Sequence, residues 1–270
     1  MESWLESMKH FVINDDWELI SNQSSLGNQP KWHNLKDGSF IKGALFNGIE
    51  WRDYLVECIG SRIASQIKIP GFRYAKYEVC TYTLNGAEHY GCWSPNFLRK
   101  NESLITLYSF MCKAGLDWET KPSIAELYGQ LSSFYFQATG SSQTQYLSAL
   151  FAIDFLIVNT DRHLRNFAII KNLETGEVYP SPAFDFGMGL FQGNTDLLDF
   201  PTKRRIQRLK YSPFNTSFEK ALNAYKAQYD IASLLPEPID LTGLKFLDTD
   251  SKALIATHSK LLSRHVKGVI

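Results

Sequence analysis

The sequence predicts an α+β protein of two lobes, a small strand-rich lobe followed by a larger helical lobe. Two observations support this prediction. Over about the first hundred residues, short strand-like segments meet at Asn, Asp and Gly turns, and beyond that point apolar residues recur mainly at helical spacing. We place the lobes at residues 1–97 and 98–270. A cleft between two such lobes is a common place for a ligand to bind.

The composition excludes several classes of protein. With 270 residues, 44% of them hydrophobic, the chain is long enough to bury a full core. Its 28 basic and 28 acidic residues balance, so we expect neither direct nucleic-acid binding nor attraction to an anionic membrane. The longest apolar stretch is interrupted by Asp154, and neither a membrane span nor a signal peptide is expected.

The four cysteines indicate the cellular compartment. Their spacing fits neither a zinc site nor a compact disulfide framework. We therefore expect buried thiols in a reducing compartment, the cytoplasm.

Strands and a single helix are predicted for the first lobe. Strands are expected in WELISNQ, KWHNLKDGSFIKGAL and YEVCTYTLNGAEHYGCW, with turns at residues 36–38 and 85–86, whose residues tolerate positive φ. Between the second and third of these segments, WRDYLVECIGSRIASQI carries apolar residues at helical spacing, and Pro70 and Gly71 end the helix.

Helices dominate the prediction for the second lobe. Apolar stripes place them at 123–137, 143–158, 217–235 and 250–266. The exception is 167–185, where FAII and VYPSPAF flank a Thr-Gly pair suited to a hairpin turn. This hairpin folds the chain back, so the loops before and after it are expected to meet at the mouth of the cleft.

Two polar motifs lie on either side of the hairpin. DRHLRN places Asp161 five residues before Asn166, and Asp185 begins the tripeptide DFG. In phosphoryl transfer by kinases, a loop Asp orients the acceptor hydroxyl, while an Asn five residues later and the DFG Asp hold Mg²⁺. Each motif alone is weak evidence for a site, because Asp154 and Asn159 show the same spacing. For Asp154, which lies in an apolar helical run, a hydrogen bond from the helix to the loop is the expected role. The order of loop, hairpin and DFG favours a metal and phosphate site.

The first lobe offers the remaining parts of such a site. SSLGNQPK, residues 24–31, is a turn whose backbone N–H groups suit a phosphate, although an ordinary hairpin loop has the same composition. Lys42 ends the strand SFIK, and Glu57 follows on the helix, where an acid can orient the lysine. Taken alone, a solvated strand-edge lysine and a half-exposed helix acid are the alternatives.

Together these segments resemble the HipA-like kinases, bacterial toxin-type serine/threonine kinases that share DRHxxN-type loops with phosphatidylinositol kinases. The matching stretches are SSLGNQPK, SFIK, YLVECIGSRIA, WSPNFL, NTDRHLRNFAII and SPAFDFGMGL. The resemblance implies a two-lobed protein-kinase-like fold with ATP and Mg²⁺ between the lobes. The chain lacks the GxGxxG loop, the AxK motif and the HRD order of ordinary eukaryotic protein kinases, which places it among atypical kinases.

The resemblance also implies a role for each candidate residue. Asp161 is expected to be the catalytic base, and Lys42 to contact the nucleotide phosphates in a position set by Glu57. Asn166 and Asp185 are expected to ligate Mg²⁺. The expected phosphate loop consists of Ser24, Ser25, Leu26, Gly27, Asn28 and Gln29. In the resembled family a serine of this loop is autophosphorylated, which ejects the loop and silences the enzyme; the alternative is that small serines merely suit a tight turn.

The remaining basic residues have open roles. His163 either supports the loop by hydrogen bonding its backbone or donates to the phosphates, Arg162 is a candidate clamp for the loop, and Arg165 is expected to face solvent. The run TKRRIQRLK, 202–210, is either a solvated helix face or a contact for an acidic or phosphorylated substrate.

The predicted activity is therefore transfer of the γ-phosphoryl group of ATP to Ser or Thr of a protein, by a toxin-like or regulatory kinase. Little chain precedes the phosphate loop compared with HipA proteins, so a small antitoxin or regulatory partner chain is expected to replace the missing part. A phosphatidylinositol-type lipid kinase and a nucleotide-binding pseudokinase are the alternatives.

Overall fold

The computed structural model describes residues 8–20, 30–46, 49–50, 52–114, 124–190, 210–211, 216–217, 220, 234–236, 238–246 and 249–263. The predicted α+β fold of two lobes is confirmed: a small β-rich N-lobe with one helix stands on a helical C-lobe. The boundary at residues 97 and 98 stays a prediction. Within the described ranges, no helix is both long and apolar enough to cross a membrane.

The N-lobe is built on a six-stranded sheet. In chain order its strands are β1 (Lys9–Val12), β2 (Trp17–Leu19), β3 (Lys31–Asn34), β4 (Phe40–Gly43), β7 (Glu78–Leu84) and β8 (Ala87–Ser94), and the short strands β5 (Leu45–Phe46) and β6 (Ile49–Glu50) form a separate pair. The spatial order is β1-β7-β8-β4-β3-β2, with β1 and β7 parallel and the other neighbours antiparallel. The predicted turns are confirmed at Gly38 and at Asn85–Gly86, all with positive φ.

A single helix, α1 (Asp53–Ala64), covers one face of this sheet, where it contacts β7 and β8. Because side chains alternate along a strand, Ile41 packs with Trp17 and Tyr82 on one face and Lys42 points to the other. The helix is shorter at both ends than the stretch 51–67 predicted from its apolar spacing. Its C-terminal end unwinds into a turn in which Gln66 N donates to Ile63 O, ahead of Pro70.

The C-lobe contains the helices α2 (Leu107–Lys113), α3 (Ile124–Thr139), α4 (Thr144–Ile157) and α5 (Thr249–Ser263). Helices α3, α4 and α5 confirm three of the four predicted helices, whereas α2 was not predicted. The fourth, at 217–235, falls mostly outside the described residues, and Ser217, its predicted first residue, lies instead in the strand pair β12 (Lys210–Tyr211) and β13 (Thr216–Ser217). Almost every side chain of α4 is buried, so this helix forms the centre of the main core.

A second sheet positions the polar motifs. It consists of β9 (Glu102–Thr106), β10 (Ala168–Asn172) and β11 (Val178–Pro180) in the order β11-β10-β9. The predicted hairpin is β10–β11, with Gly176 at φ +74° in its turn. The strand β9 was not predicted, because its pairing with β10 joins segments more than sixty residues apart in sequence.

The cysteines follow the prediction with one exception. Cys58, Cys80 and Cys92 are buried free thiols in the N-lobe, whereas Cys112 on α2 is exposed.

Candidate active site

Three charged residues from separate elements meet in the cleft. Lys42 on β4 donates from Nζ to Glu57 Oε1 on α1 and, at 2.8 Å, to Asp185 Oδ1 after β11. The Glu57 side chain is 1% exposed and that of Lys42 is 11% exposed. Both side chains are buried against each other. The two alternatives, a solvated edge lysine and a half-exposed helix acid, are therefore wrong.

Lys42 and Asp185 stabilise each other's charged forms. Burial alone would raise the pKa of Asp185, but the positive charges of Lys42 and Lys31 more than offset it and hold that pKa well below its ordinary value. Burial acts to lower the pKa of Lys42, and the charges of Asp185 and Glu57 reverse the effect and raise it well above its usual value. Lys42 is therefore a cation and Asp185 an anion at physiological pH.

The DFG segment is fixed by contacts with α1. Phe186 N donates to Glu57 Oε2 at 2.8 Å, so the two oxygens of Glu57 hold the lysine and the DFG backbone at the same time. The Phe186 ring lies against Gly60, where an added Cβ would come within 2.4 Å of the ring. Asp185 adopts φ +64°, a left-handed conformation that costs a non-glycine residue about 1 kcal/mol and that Asp tolerates better than most residues.

A buried ion pair fixes the loop that carries DRHLRN. Arg162 is 0% exposed, and its Nε and Nη2 donate to the two oxygens of Asp154, both at 2.8 Å. Its Nη1 donates to Phe184 O at 2.6 Å, just before DFG. Asn159 donates to Asp154 Oδ1 at 2.9 Å and accepts from Asp161 N at 3.2 Å. The predicted clamp role of Arg162 and the predicted helix-to-loop hydrogen bond are both seen here.

Asp161 and Asn166 lie at the mouth of the cleft. Asp161 is exposed. The protein atoms around its carboxyl raise its pKa; His163 acts to lower this pKa, and the negative charge of Asp185 acts to raise it further. Asn166 is 3% exposed and donates weakly to Asp161 O at 3.4 Å. Its Oδ1 is buried and has no hydrogen-bond partner among the described residues.

These donor groups suit a hard cation such as Mg²⁺. A buried amide oxygen without a partner is unfavourable by about 1–3 kcal/mol, and a cation would satisfy it. Across the described ranges, no cluster of three His, Cys, Asp or Glu side chains forms a metal site by itself. Asn166 and Asp185 would therefore share the ion with phosphate oxygens and water, which is how Mg²⁺ is usually held in proteins.

The contacts of the two remaining basic residues of the loop are as follows. Arg165 was expected to face solvent, but its guanidinium lies over the Tyr108 ring at 3.8 Å, a cation–π contact that fixes it against α2. His163 Nδ1 is buried and makes no hydrogen bond to any described residue, so this atom does not support the loop backbone, and donation to the phosphates stays a prediction.

Two further residues of the site, Lys31 and Asp53, were not predicted from the sequence. Lys31 on β3 lies directly opposite Lys42 in the strand register; burial, followed by the charge of Lys42, lowers its pKa. Asp53 lies one turn before Glu57 on α1, and burial, reinforced by the charge of Glu57, raises its pKa to about 7. Lys31 is the last residue of the segment SSLGNQPK, so its proximity to the candidate phosphate loop was the available signal.

Two predicted features fall outside the described residues. These are the phosphate loop at residues 24–29 and, except for Lys210, the basic run at 202–210. Their roles stay predictions.

Comparison with known proteins identifies the fold. No protein-family model matches the chain, and no curated protein matches its sequence. The solved structure of the proinflammatory kinase CtkA of Helicobacter pylori matches with a TM-score of 0.64 at 15% identity, over 95% of both chains.

Two further structures match more distantly. One is Shewanella oneidensis HipA, in a complex with HipB and operator DNA, with a TM-score of 0.47 at 13% identity over 94% of this chain and 66% of that one. The other is a Neurospora crassa PAN3 pseudokinase mutant, with a TM-score of 0.36 at 12% identity over 96% and 63%. The match to CtkA shows that the chain has a protein-kinase-like fold.

Proposed function

We propose that this protein is a kinase that uses ATP and Mg²⁺ to phosphorylate serine or threonine on a protein substrate. The observation that carries the proposal is the trio of Lys42, Glu57 and Asp185, joined across the cleft and facing a loop with an exposed Asp161 and a buried Asn166. The similarity of the fold to a kinase supports the same reaction class.

The lysines of the N-lobe would bind the phosphates of ATP. Glu57 fixes the direction of the Lys42 ammonium, and Lys31 adds a second positive charge beside it. Such fixed charges in a cleft stabilise the transferring phosphoryl group more than they would in water, because they need no reorganisation during the reaction. Mg²⁺, held by Asp185 and Asn166, would neutralise further phosphate charge when bound.

Asp161 would orient the acceptor hydroxyl. Its carboxylate is exposed at the mouth, where a substrate side chain can reach it, and its raised pKa makes it a better proton acceptor than an ordinary aspartate. In the reaction the hydroxyl oxygen forms a bond to the γ-phosphorus, the bond from that phosphorus to the bridging oxygen of ADP breaks, and Asp161 accepts the hydroxyl proton. No covalent enzyme intermediate is required.

A phosphoproteome comparison tests the proposal and identifies the acceptor. Cells that express the wild-type protein should gain phosphoserine or phosphothreonine sites that are absent with Asp161→Ala. Asp15→Ala, which removes an exposed aspartate from the turn before β2, is the matched control and should give the wild-type pattern. Identical phosphoproteomes for wild type and Asp161→Ala would contradict the proposal.

The finer features suggested by the HipA resemblance belong to the same proposal. Autophosphorylation of Ser24 or Ser25 would silence the enzyme, and mass spectrometry after incubation with ATP should find phosphate there; phosphate found only elsewhere would count against it. A partner chain, toxin-like activity and a cytoplasmic location are also proposed. Copurification from the native host and growth arrest that Asp185→Ala abolishes would support the first two.

The two alternatives make different predictions. A lipid kinase would phosphorylate phosphatidylinositol in liposomes. A pseudokinase would gain thermal stability with ATP but turn none over. The charged groups assembled around the cleft favour turnover, because a binding module needs no exposed carboxylate at the acceptor position.

A further inference from the structure

A segment from the C-terminal part of the chain returns to helix α1 of the N-lobe. We call residues 238–246 the clasp. Shortly after it comes α5, which packs on α4, where the buried His258 donates from Nδ1 to Phe155 O at 2.9 Å. The clasp therefore precedes a helix of the C-lobe core in sequence, and it contacts the helix that carries Glu57.

Polar contacts join the clasp to the C-terminal end of α1. Arg62 forms an ion pair with Asp240, and its Nε also donates to Asp240 O at 3.2 Å. Gln66 contacts the backbone of the same residue in both directions: its Nε2 donates to Asp240 O at 2.9 Å, and its Oε1 accepts from Asp240 N at 2.7 Å. The backbone N–H and C=O of Asp240 are thus both hydrogen bonded to side chains of α1 and of the turn that ends it.

An apolar contact lies nearer the site. Phe246 packs against a buried cluster formed by Ala44, Tyr54, Cys58 and Cys92. Two members, Tyr54 and Cys58, lie on α1 on either side of Glu57 in sequence, and Cys92 lies directly opposite Lys42 in the register of β4 and β8. Phe246 therefore packs where α1 meets the strand that carries Lys42.

The clasp also contacts the main core. Ile239, Leu241, Leu244 and Phe246 are half-buried against the cluster that contains Val56, Ile59 and Ile63 of α1. At the other end of α1, the N-cap residue Arg52 makes no capping hydrogen bond through its side chain.

We propose that the clasp positions α1 and so sets the contact between Glu57 and Lys42, with Phe246 and Gln66 as positioning residues. The expected effect on turnover rests on the proposed kinase function, whereas the expected effect on the position of α1 does not. Glu57 is rigidly attached to α1, so a shift of that helix withdraws both carboxylate oxygens, one from Lys42 Nζ and one from Phe186 N. Loosening the clasp would then lower turnover without touching a substrate contact.

The Phe186 amide gives a readout that needs no activity. Its hydrogen bond to Glu57 protects it from exchange with solvent only while α1 is in place. Phe246→Ala and Gln66→Ala should each accelerate its exchange about tenfold, while core amides of α4 keep wild-type rates. The control is Phe11→Ala, which removes a half-buried phenylalanine from the opposite face of the N-lobe sheet and should leave Phe186 exchange unchanged.

Turnover and rescue complete the test. In both clasp variants kcat should fall several-fold while KM for ATP changes less, because the loss concerns charge placement in the transition state. Arg62→Asp should also speed Phe186 exchange, and adding Asp240→Arg should restore it.

The outcomes separate the clasp from the function. Unchanged Phe186 exchange in both clasp variants, or thermal destabilisation with no change specific to Phe186, would overturn the clasp whether or not the protein is a kinase. If Phe186 exchanges faster in the clasp variants but the wild-type protein turns over no ATP, the clasp is supported and the kinase proposal is contradicted.

Discussion

Replacing Arg162 by methionine tests how the loop that carries Asp161 is held. Arg162 is 0% exposed and makes two hydrogen bonds of 2.8 Å to Asp154 and one of 2.6 Å to Phe184 O. Removing one partner of a buried pair leaves the other charge poorly compensated, which costs about 3–5 kcal/mol. We expect Arg162→Met to lower the free energy of unfolding by that amount, a large fraction of the roughly 5–15 kcal/mol of a typical domain.

Urea denaturation followed by tryptophan fluorescence measures this loss. The control is the Lys36–Asp16 pair, which has a shorter contact of 2.6 Å but a lysine side chain that is 72% exposed. Because exposed pairs contribute little, Lys36→Met should cost no more than about 1 kcal/mol.

A double variant separates the lost charge pair from lost packing. Asp154→Leu with Arg162→Met puts apolar groups in place of both charges, so it should recover much of the stability lost by Arg162→Met. A cost below about 1 kcal/mol for Arg162→Met, or a double variant less stable than the single one, would refute the reasoning.

Two further predictions concern α1. Burial raises the pKa of Asp53 to about 7, so folding favours its protonated form and the stability of the wild type falls as pH rises from about 4 through about 7. Asp53→Asn should therefore gain about 3 kcal/mol relative to wild type between about pH 5 and pH 8 in urea denaturation, and a constant difference would contradict this. Gly60→Ala places a Cβ about 2.4 Å from the Phe186 ring. It should lower the free energy of unfolding by about 1–3 kcal/mol and reduce activity, as measured by thermal denaturation and turnover. Gly129→Ala on α3 meets nothing within 4 Å and should instead stabilise by up to about 1 kcal/mol; equal effects at both glycines would argue against the clash.

The parts of the site that follow from local patterns were predictable from the sequence. The strand-like segments bounded by turn residues placed Lys42 on a strand, helical spacing placed Glu57 on α1, and turn chemistry placed the hairpin between DRHLRN and DFG. The structure brings Lys42, Glu57 and Asp185 into direct contact, which no local pattern determines. Their order along the chain indicated a shared site only through its resemblance to known kinases.

The missed features depend on long-range packing. Lys31 reaches the site because β3 and β4 pair with Lys31 opposite Lys42, and strand register is set by the whole sheet. Asp240 contacts Arg62 across 178 residues of sequence, so no periodicity links the two positions. The partner of Arg162 was hidden for a different reason: Asp154 lies in an apolar helix, where a charge indicates only that some compensating group must be near.

The most direct test is phosphoryl transfer by the purified protein. Wild type incubated with γ-labelled ATP and Mg²⁺ should transfer label to itself or to a protein of a cell lysate, mainly on serine or threonine. Asp161→Ala and Asp185→Ala should each reduce the labelling at least about 100-fold, and EDTA should abolish it. Absence of labelling by wild type, or equal labelling by wild type and both variants, would contradict the proposed kinase activity.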